Sequence, residues 1–234
     1  LTLQELYTVV SGKLNETTPT FYPTSEIIAA VNEGQRFFCL LTLVLETTEP
    51  WTITPGQLFF NLLPVFTDMI VPLRIADTQR VKVRPARLED LSSLDAQWPL
   101  ALGPPQRYVR IGADLVALYP SPIVTTTALV TYAQAPATLA NDADAPQIPV
   151  QYHPKLADYA INRVRQVEGA AALEQTLPLL GSFLDAAQAC ADYVRARNRG
   201  NQYDVQPFEF SAFDRSQLLK LRKDLVPSRR PPVE

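Results

Sequence analysis

Hydrophobic positions in this chain change period twice: from helical to alternating near residue 50, and back to helical near residue 149. Leu3, Leu6, Tyr7 and Val10 form a short amphipathic pattern that stops near Gly12. A loop of threonines and prolines follows, up to Pro23. Thr24 or Ser25 then caps a longer helix, with Glu26 in the first turn, where the helix dipole favours a negative charge. Ile27, Val31, Phe38, Leu41 and Leu45 keep a seven-residue spacing in which Gly34 fills the missing step. From Phe37 onward a second face (Phe37, Leu40, Val44) is apolar too, so this half of the helix needs cover on two sides, from its own domain or a partner. Pro50 is expected to end the helix.

Short β-like runs come next: 51–53, 58–60, 69–71, 79–83, 108–111, 115–119 and 126–132. Pro55-Gly56 signals a turn, and Gly112-Ala-Asp114 a hairpin. Prolines 50, 55, 64, 72, 85, 99, 104, 105, 120, 122 and 136 are expected between these runs or at their edges, where a missing amide donor does least harm. After Pro149 the helical period returns. His153-Pro154 opens a helix with the stripe Leu156, Ala160, Val164 and Val167. Beyond Gly169, Leu173, Leu177, Leu180, Leu184, Ala187, Ala191 and Val194 give the cleanest periodicity in the chain, with Pro178 expected to kink or restart the helix near Leu177. The expected fold is α+β: a helical bundle formed by the N- and C-terminal helices, with an inserted antiparallel β-rich domain. The division reads as N-terminal helices at 1–49, the β-rich insertion at 50–148, C-terminal helices at 149–200 and an extended C-terminal arm at 201–234.

Composition narrows the function. Of 234 residues, 47% are hydrophobic and the net charge is -3, so the chain can build a core and is not disordered. It has 21 prolines and only 8 glycines, where roughly 12 and 16 would be usual. Glycine loops that cradle phosphates therefore have little material, and no P-loop, dinucleotide fingerprint or nucleophile elbow is found. A pI near 5.3 argues against a dedicated nucleic-acid binder. No secretory signal stands out, and the longest apolar run, residues 37–45, falls far short of the ~20 residues a membrane helix needs. Cys39 and Cys190, each in an apolar helical stretch, read as buried free thiols in a reducing compartment; neither a disulfide nor a zinc site is expected.

The catalytic inventory is thin. The single histidine, His153, has no carboxylate or nucleophile nearby in sequence and reads as structural or exposed. Glu89-Asp90 and Asp142-Ala-Asp144 lack the oxygen-ligand spacing of a calcium loop and read as solvated turns. Arg195, Arg197 and Arg199 complement a helix C-terminus. No metal or cofactor is expected. The last stretch is different in character, because residues 215–234 carry six basic and two acidic side chains. Leu218, Leu219, Leu221 and Leu225 lie there in a short helical pattern, with Arg222 and Lys223 between them. Such a segment either packs back on its own chain or docks on a partner. Residues 211–226 are expected to be a docking arm, its four leucines buried and Arg222 and Lys223 facing acidic groups.

The order of parts resembles the head-to-tail adaptor (connector) proteins of tailed bacteriophages. The similar features are Thr24-Ser-Glu-Ile-Ile-Ala-Ala-Val-Asn-Glu-Gly-Gln-Arg36, Leu88-Glu-Asp-Leu91 with Gln97-Trp-Pro99, Gly103-Pro-Pro-Gln-Arg-Tyr108, Leu118-Tyr-Pro-Ser-Pro122 and Ile148-Pro-Val-Gln-Tyr-His153. They span residues 3 to 200. The resemblance implies a structural virion protein assembled in the host cytoplasm, not an enzyme. It further implies a homo-oligomeric ring, usually of twelve copies, between the portal protein and the tail nozzle or tube. Genomic DNA would pass through the ring without specific binding, with no membrane involved. The alternatives are another tail or baseplate structural protein, or a carbohydrate-active β-domain enzyme.

Overall fold

Thr2 starts the first helix through a capping box: its hydroxyl accepts from the Glu5 amide while the Glu5 carboxylate accepts from the Thr2 amide. The computed structural model describes residues 1–15, 21–77, 83–168, 170–201, 203 and 205–207. The helices are α1 (Leu3–Lys13), α2 (Thr24–Thr42), α3 (Leu88–Leu94), α4 (His153–Arg165) and α5 (Ala170–Gly200). The strands are β1 (Glu46–Ile53), β2 (Phe59–Asn61), β3 (Met69–Asp77), β4 (Arg84–Pro85), β5 (Arg107–Arg110), β6 (Leu115–Tyr119) and β7 (Thr126–Gln134). The fold is α+β.

The chain divides into two compact units. The first joins Leu1–Thr42 to Pro136–Tyr193, and the second joins Leu43–Ala135 to Val194–Gln206. In the first unit, α1, α2 and α4 pack against one another. Leu3, Leu6 and Val10 of α1 are buried, as are Ile27, Ala30, Val31, Gly34 and Phe38 of α2. The second apolar face of α2 is only half covered. Phe37 stacks on Phe183 and lies against Tyr159, whereas Leu40 is exposed. Two amides of α2 hold an extended segment. Asn32 donates to the Leu139 carbonyl and accepts from the Leu139 amide, while Gln35 donates to Ala137 O and accepts from Gln147 N. These pairs copy strand pairing with side chains, which satisfies backbone that has no ladder.

Helix α2 stops at Thr42, not at Pro50. Leu43 takes a left-handed conformation (φ 52°), and β1 begins three residues later. Residues 46–53, Glu-Thr-Thr-Glu-Pro-Trp-Thr-Ile, favour an extended strand paired along its length with β7. Pro50 therefore sits inside β1, and Pro72 inside β3, contrary to the expectation that prolines only flank the runs. Both strands are edges of the three-stranded sheet β1-β7-β3, and register shifts flank Pro72, so the missing donors cost little. The second sheet, β2-β6-β5-β4, is antiparallel except for the parallel pair β4–β5. Gly112-Ala-Asp114 makes the expected turn into β6. Gly56 closes the turn before β2 at φ 73°, which glycine adopts without strain. Of the run 79–83, residues 79–82 lie outside the described residues.

Trp51, Ile53, Phe60, Leu62, Ile75, Val116, Leu118, Val130 and Tyr132 form the core of this unit, drawn from both sheets. On the other face of the four-stranded sheet, Leu91 of α3 and Trp98 cover Val109 and Ala117. In α5, Leu180, Leu184, Ala187, Ala191 and Val194 are buried as the spacing predicts, joined by Phe183 and Cys190. The helix runs on through Pro178, which is exposed; buried Thr176 and Leu180 hold it on either side, and it neither stops nor restarts there.

Gly34 offers a direct test of the helix packing. A Cβ at this position would stand 2.8 Å from Tyr159 Cδ1, and that ring is fixed by Phe37, Phe183 and a 2.8 Å hydrogen bond to Glu33. Alanine ordinarily gains ~1 kcal/mol over glycine inside a helix, and overpacking costs ~1–3 kcal/mol. Gly34→Ala should lower stability by up to about 2 kcal/mol net, read as a shift of the urea midpoint at unchanged slope.

Candidate interaction surfaces

The polar residues singled out from sequence serve the fold. His153 is buried at the start of α4, with Nε2 2.9 Å from the Ile148 carbonyl and Nδ1 3.0 Å from the backbone nitrogen of Leu1. Asp144 accepts from the amides of Ala140 and Asn141, bonds that hold its carboxyl below the usual carboxylate range. The carbonyls of Asp142 and Asp144 accept from Gln4 and Leu3, so this loop anchors α1. Glu89 and Asp90 are exposed in the first turn of α3. Cys39 and Cys190 are buried free thiols. Burial, and secondly the nearby Cys190, pushes the Cys39 thiol up to about 12. Among the described residues no cluster of three or more metal-ligating side chains occurs, and no helix is long and apolar enough to cross a membrane.

Arg197 does more than complement a helix end. It donates to the carbonyls of Leu43 and Val44, and its guanidinium lies 3.3 Å from the Glu46 carboxylate. Tyr203 completes the constellation. Its hydroxyl donates to Glu46 at 2.6 Å, its amide to Asn198 O, and its ring is buried with Leu43, Leu73 and Ala133. Asn198 is buried and donates to the Val205 carbonyl. The chain beyond α5 is thus fastened, as far as Val205, to the end of the three-stranded sheet where Glu46 pairs with Ala133. This latch was not read from sequence, because Tyr203 and Glu46 lie 157 residues apart. The predicted arm residues Leu218, Leu219, Leu221, Arg222, Lys223 and Leu225 lie outside the described residues.

Two hollows open on the second unit. One, of ≈ 550 Å³, lies between α3 and β5 beside Arg87, Asp90 and Arg110. The other, of ≈ 290 Å³, has no charged residue in its wall; Ile53, Pro104, Pro105, Pro122, Ile123 and Val124 are among its lining. Ile123 and Val124 are 62% and 69% exposed, and Leu102, in the neighbouring loop, is 63% exposed. Ile123 and Val124 thus stand side by side, both exposed, at the edge of an apolar cleft.

The chain is α+β in two units, its polar clusters tie its own segments together, and of the two hollows one is charged and one apolar. The chain belongs to the SU10 adaptor protein family, whose model matches residues 1–206, and it is a tailed-phage adaptor of structural type. No curated protein matches it.

The latch gives a pH signature. Burial and then the Glu46 carboxylate raise the Tyr203 hydroxyl from its usual 10 to about 12. The folded state holds this proton more tightly than the unfolded chain, so the stabilisation is complete below pH 10 and is lost as pH rises through about 12. Tyr132 acts in the same direction, through burial and its bond to Asp68. Unfolding midpoints should therefore fall between pH 10 and 12. Tyr203→Phe should flatten part of that fall and leave the part due to Tyr132.

Proposed function

We propose that this chain is a ring-forming component of the virion, placed between the portal protein and the tail nozzle or tube, around the channel through which genomic DNA passes. The family match over residues 1–206 carries this reading. In the proposed arrangement, helices from both ends of the chain form one bundle, and the β-rich segment is inserted between them. The proposed functional parts are the N-terminal helices, the β-rich insertion, the C-terminal helices and the arm at 201–234. The ring would be homo-oligomeric, usually with twelve copies. The mildly acidic bulk of the chain suits a lumen that lets DNA slide, since affinity for DNA requires neutralised phosphates. No cofactor or catalytic step is invoked.

The arm, residues 211–226, is assigned to the portal or a neighbouring copy, with Leu218, Leu219, Leu221 and Leu225 buried in the contact and Arg222 and Lys223 facing acidic groups. The latch at Tyr203 supports this role, because an arm works from a fixed root. Once engaged, the leucines would lose apolar surface to the partner at ~25 cal/mol per Å².

The test is truncation after Pro207, which spares the latch. The shortened chain should melt as the full chain does yet fail to attach to purified portal rings in sedimentation. Normal attachment would remove the arm assignment. Electron microscopy of full chain on portal should show twelvefold symmetry; sixfold or threefold particles would instead make it a tail or baseplate component.

A further inference from the structure

Leu62 and Phe66 are buried in the core of the β-rich unit, while the three residues between them stand out: Leu63 and Val65 are 44% and 53% exposed, and Pro64 is exposed too. The amides of Val65 and Phe66 both donate to the Leu62 carbonyl, and the Leu63 amide donates to Asn61 Oδ1, so the turn is a fixed apolar knob. We propose that this knob of one copy seats in the apolar cleft beside Ile123 and Val124 of a second copy. The contact would join neighbours in the ring proposed above and rests on that reading, to which it adds the two surfaces that meet.

Knob and cleft match in chemistry and size. Neither carries a charge, and Pro64 brings no amide donor to a wall that includes Pro104, Pro105 and Pro122. A dry cavity of ~150 Å³ holds a benzene ring. The ≈ 290 Å³ available here therefore takes the Leu63 and Val65 side chains together. The rims are of opposite charge. Beside the knob, the Leu62 amide is bonded to the carbonyl of Asp114, a half-exposed residue. Beside the cleft, Arg84 follows Val83 of the wall and lies opposite Arg107 in the β4–β5 register. Among the described residues none of these three side chains is in an ion pair. A contact between copies brings the opposite rims together, which sets its orientation.

Position selects a second copy as the occupant. Strands β2 and β6 run side by side between the two features: Leu62 bonds Asp114 at the knob end, and Gly56 bonds Pro122 at the cleft end. The five residues of β6 alone hold these ends ~16 Å apart. A knob therefore cannot fill the cleft of its own chain. The pairing is head to tail, which closes into a ring when the rotation from copy to copy allows. Two matched surfaces at opposite ends of one rigid unit favour another copy over an unrelated partner. A few side chains on each side fall far below the ~20–30 residues of a stable pairwise interface. An isolated pair is thus short-lived, and the contact lasts in a closed ring, where every copy is held on both sides.

The experiment is disulfide trapping between full chains, which catches short-lived contacts. Val65→Cys and Val124→Cys replace exposed residues, and the native thiols are buried and do not compete. Mixed and oxidised, the two variants should give a 65–124 linked dimer about tenfold faster than either variant links to itself. One chain carrying both cysteines should give linked oligomers and no internally linked monomer, since a disulfide spans Cα atoms at most ~7 Å apart. Leu63→Asp added to the Val65→Cys chain should slow the linking about tenfold. No excess of 65–124 linkage, an internally linked monomer, or linkage indifferent to Leu63→Asp would each overturn the proposal and leave the cleft to another partner. Twelvefold particles on portal without 65–124 linkage would overturn the contact and spare the ring. Linkage without such particles would uphold the contact and overturn the ring.

Discussion

Arg197 holds the point at which helical chain becomes extended chain. A left-handed residue such as Leu43 leaves its own carbonyl and the next without ladder partners, and buried carbonyls in that state are costly. One planar guanidinium takes both and reaches the Glu46 carboxylate as well, a fork that lysine could not supply. Glu46 then accepts from Tyr203, so the start of β1 and the chain after α5 share one polar knot. The register of β1 on β7 follows from where Glu46 is held, because a one-residue slip would turn Trp51 and Ile53 out of the core.

Much of the architecture was legible because its cause is local. The seven-residue spacing of α2, the stripe of α5 and the alternation in β7 are each read from residues a few positions apart, and the described elements follow them closely. The end of α2 was misplaced because Leu43–Leu45 continues the apolar spacing; the helix ends in the left-handed turn at Leu43, whose carbonyl and the next are taken up by Arg197, more than 150 residues away. Pro50 and Pro72 were misread for a related reason. A proline announces that a donor is missing, but only the strand order shows that β1 and β3 have no second neighbour to miss it.

The interaction features divide in the same way. Leucines at helical spacing in a basic tail could be seen in the sequence. The cleft could not, since Ile53, Pro104 and Ile123 meet only through tertiary structure. Asn32 was noticed within a motif, but nothing in the motif says that its amide pairs with Leu139 both ways. Side-chain amides that stand in for a strand leave no periodic trace.

The two edge prolines have a consequence for production in a crowded cell. The three-stranded sheet has two edge strands, β1 and β3, and such edges invite sheet-to-sheet joining when copies accumulate. Pro50 in the middle of β1, and Pro72 between two register shifts in β3, leave only short stretches of unbroken donors on either edge. Copies can therefore be stockpiled at high concentration with less risk of merging into fibrous aggregates, while contacts made through side chains stay available for orderly association.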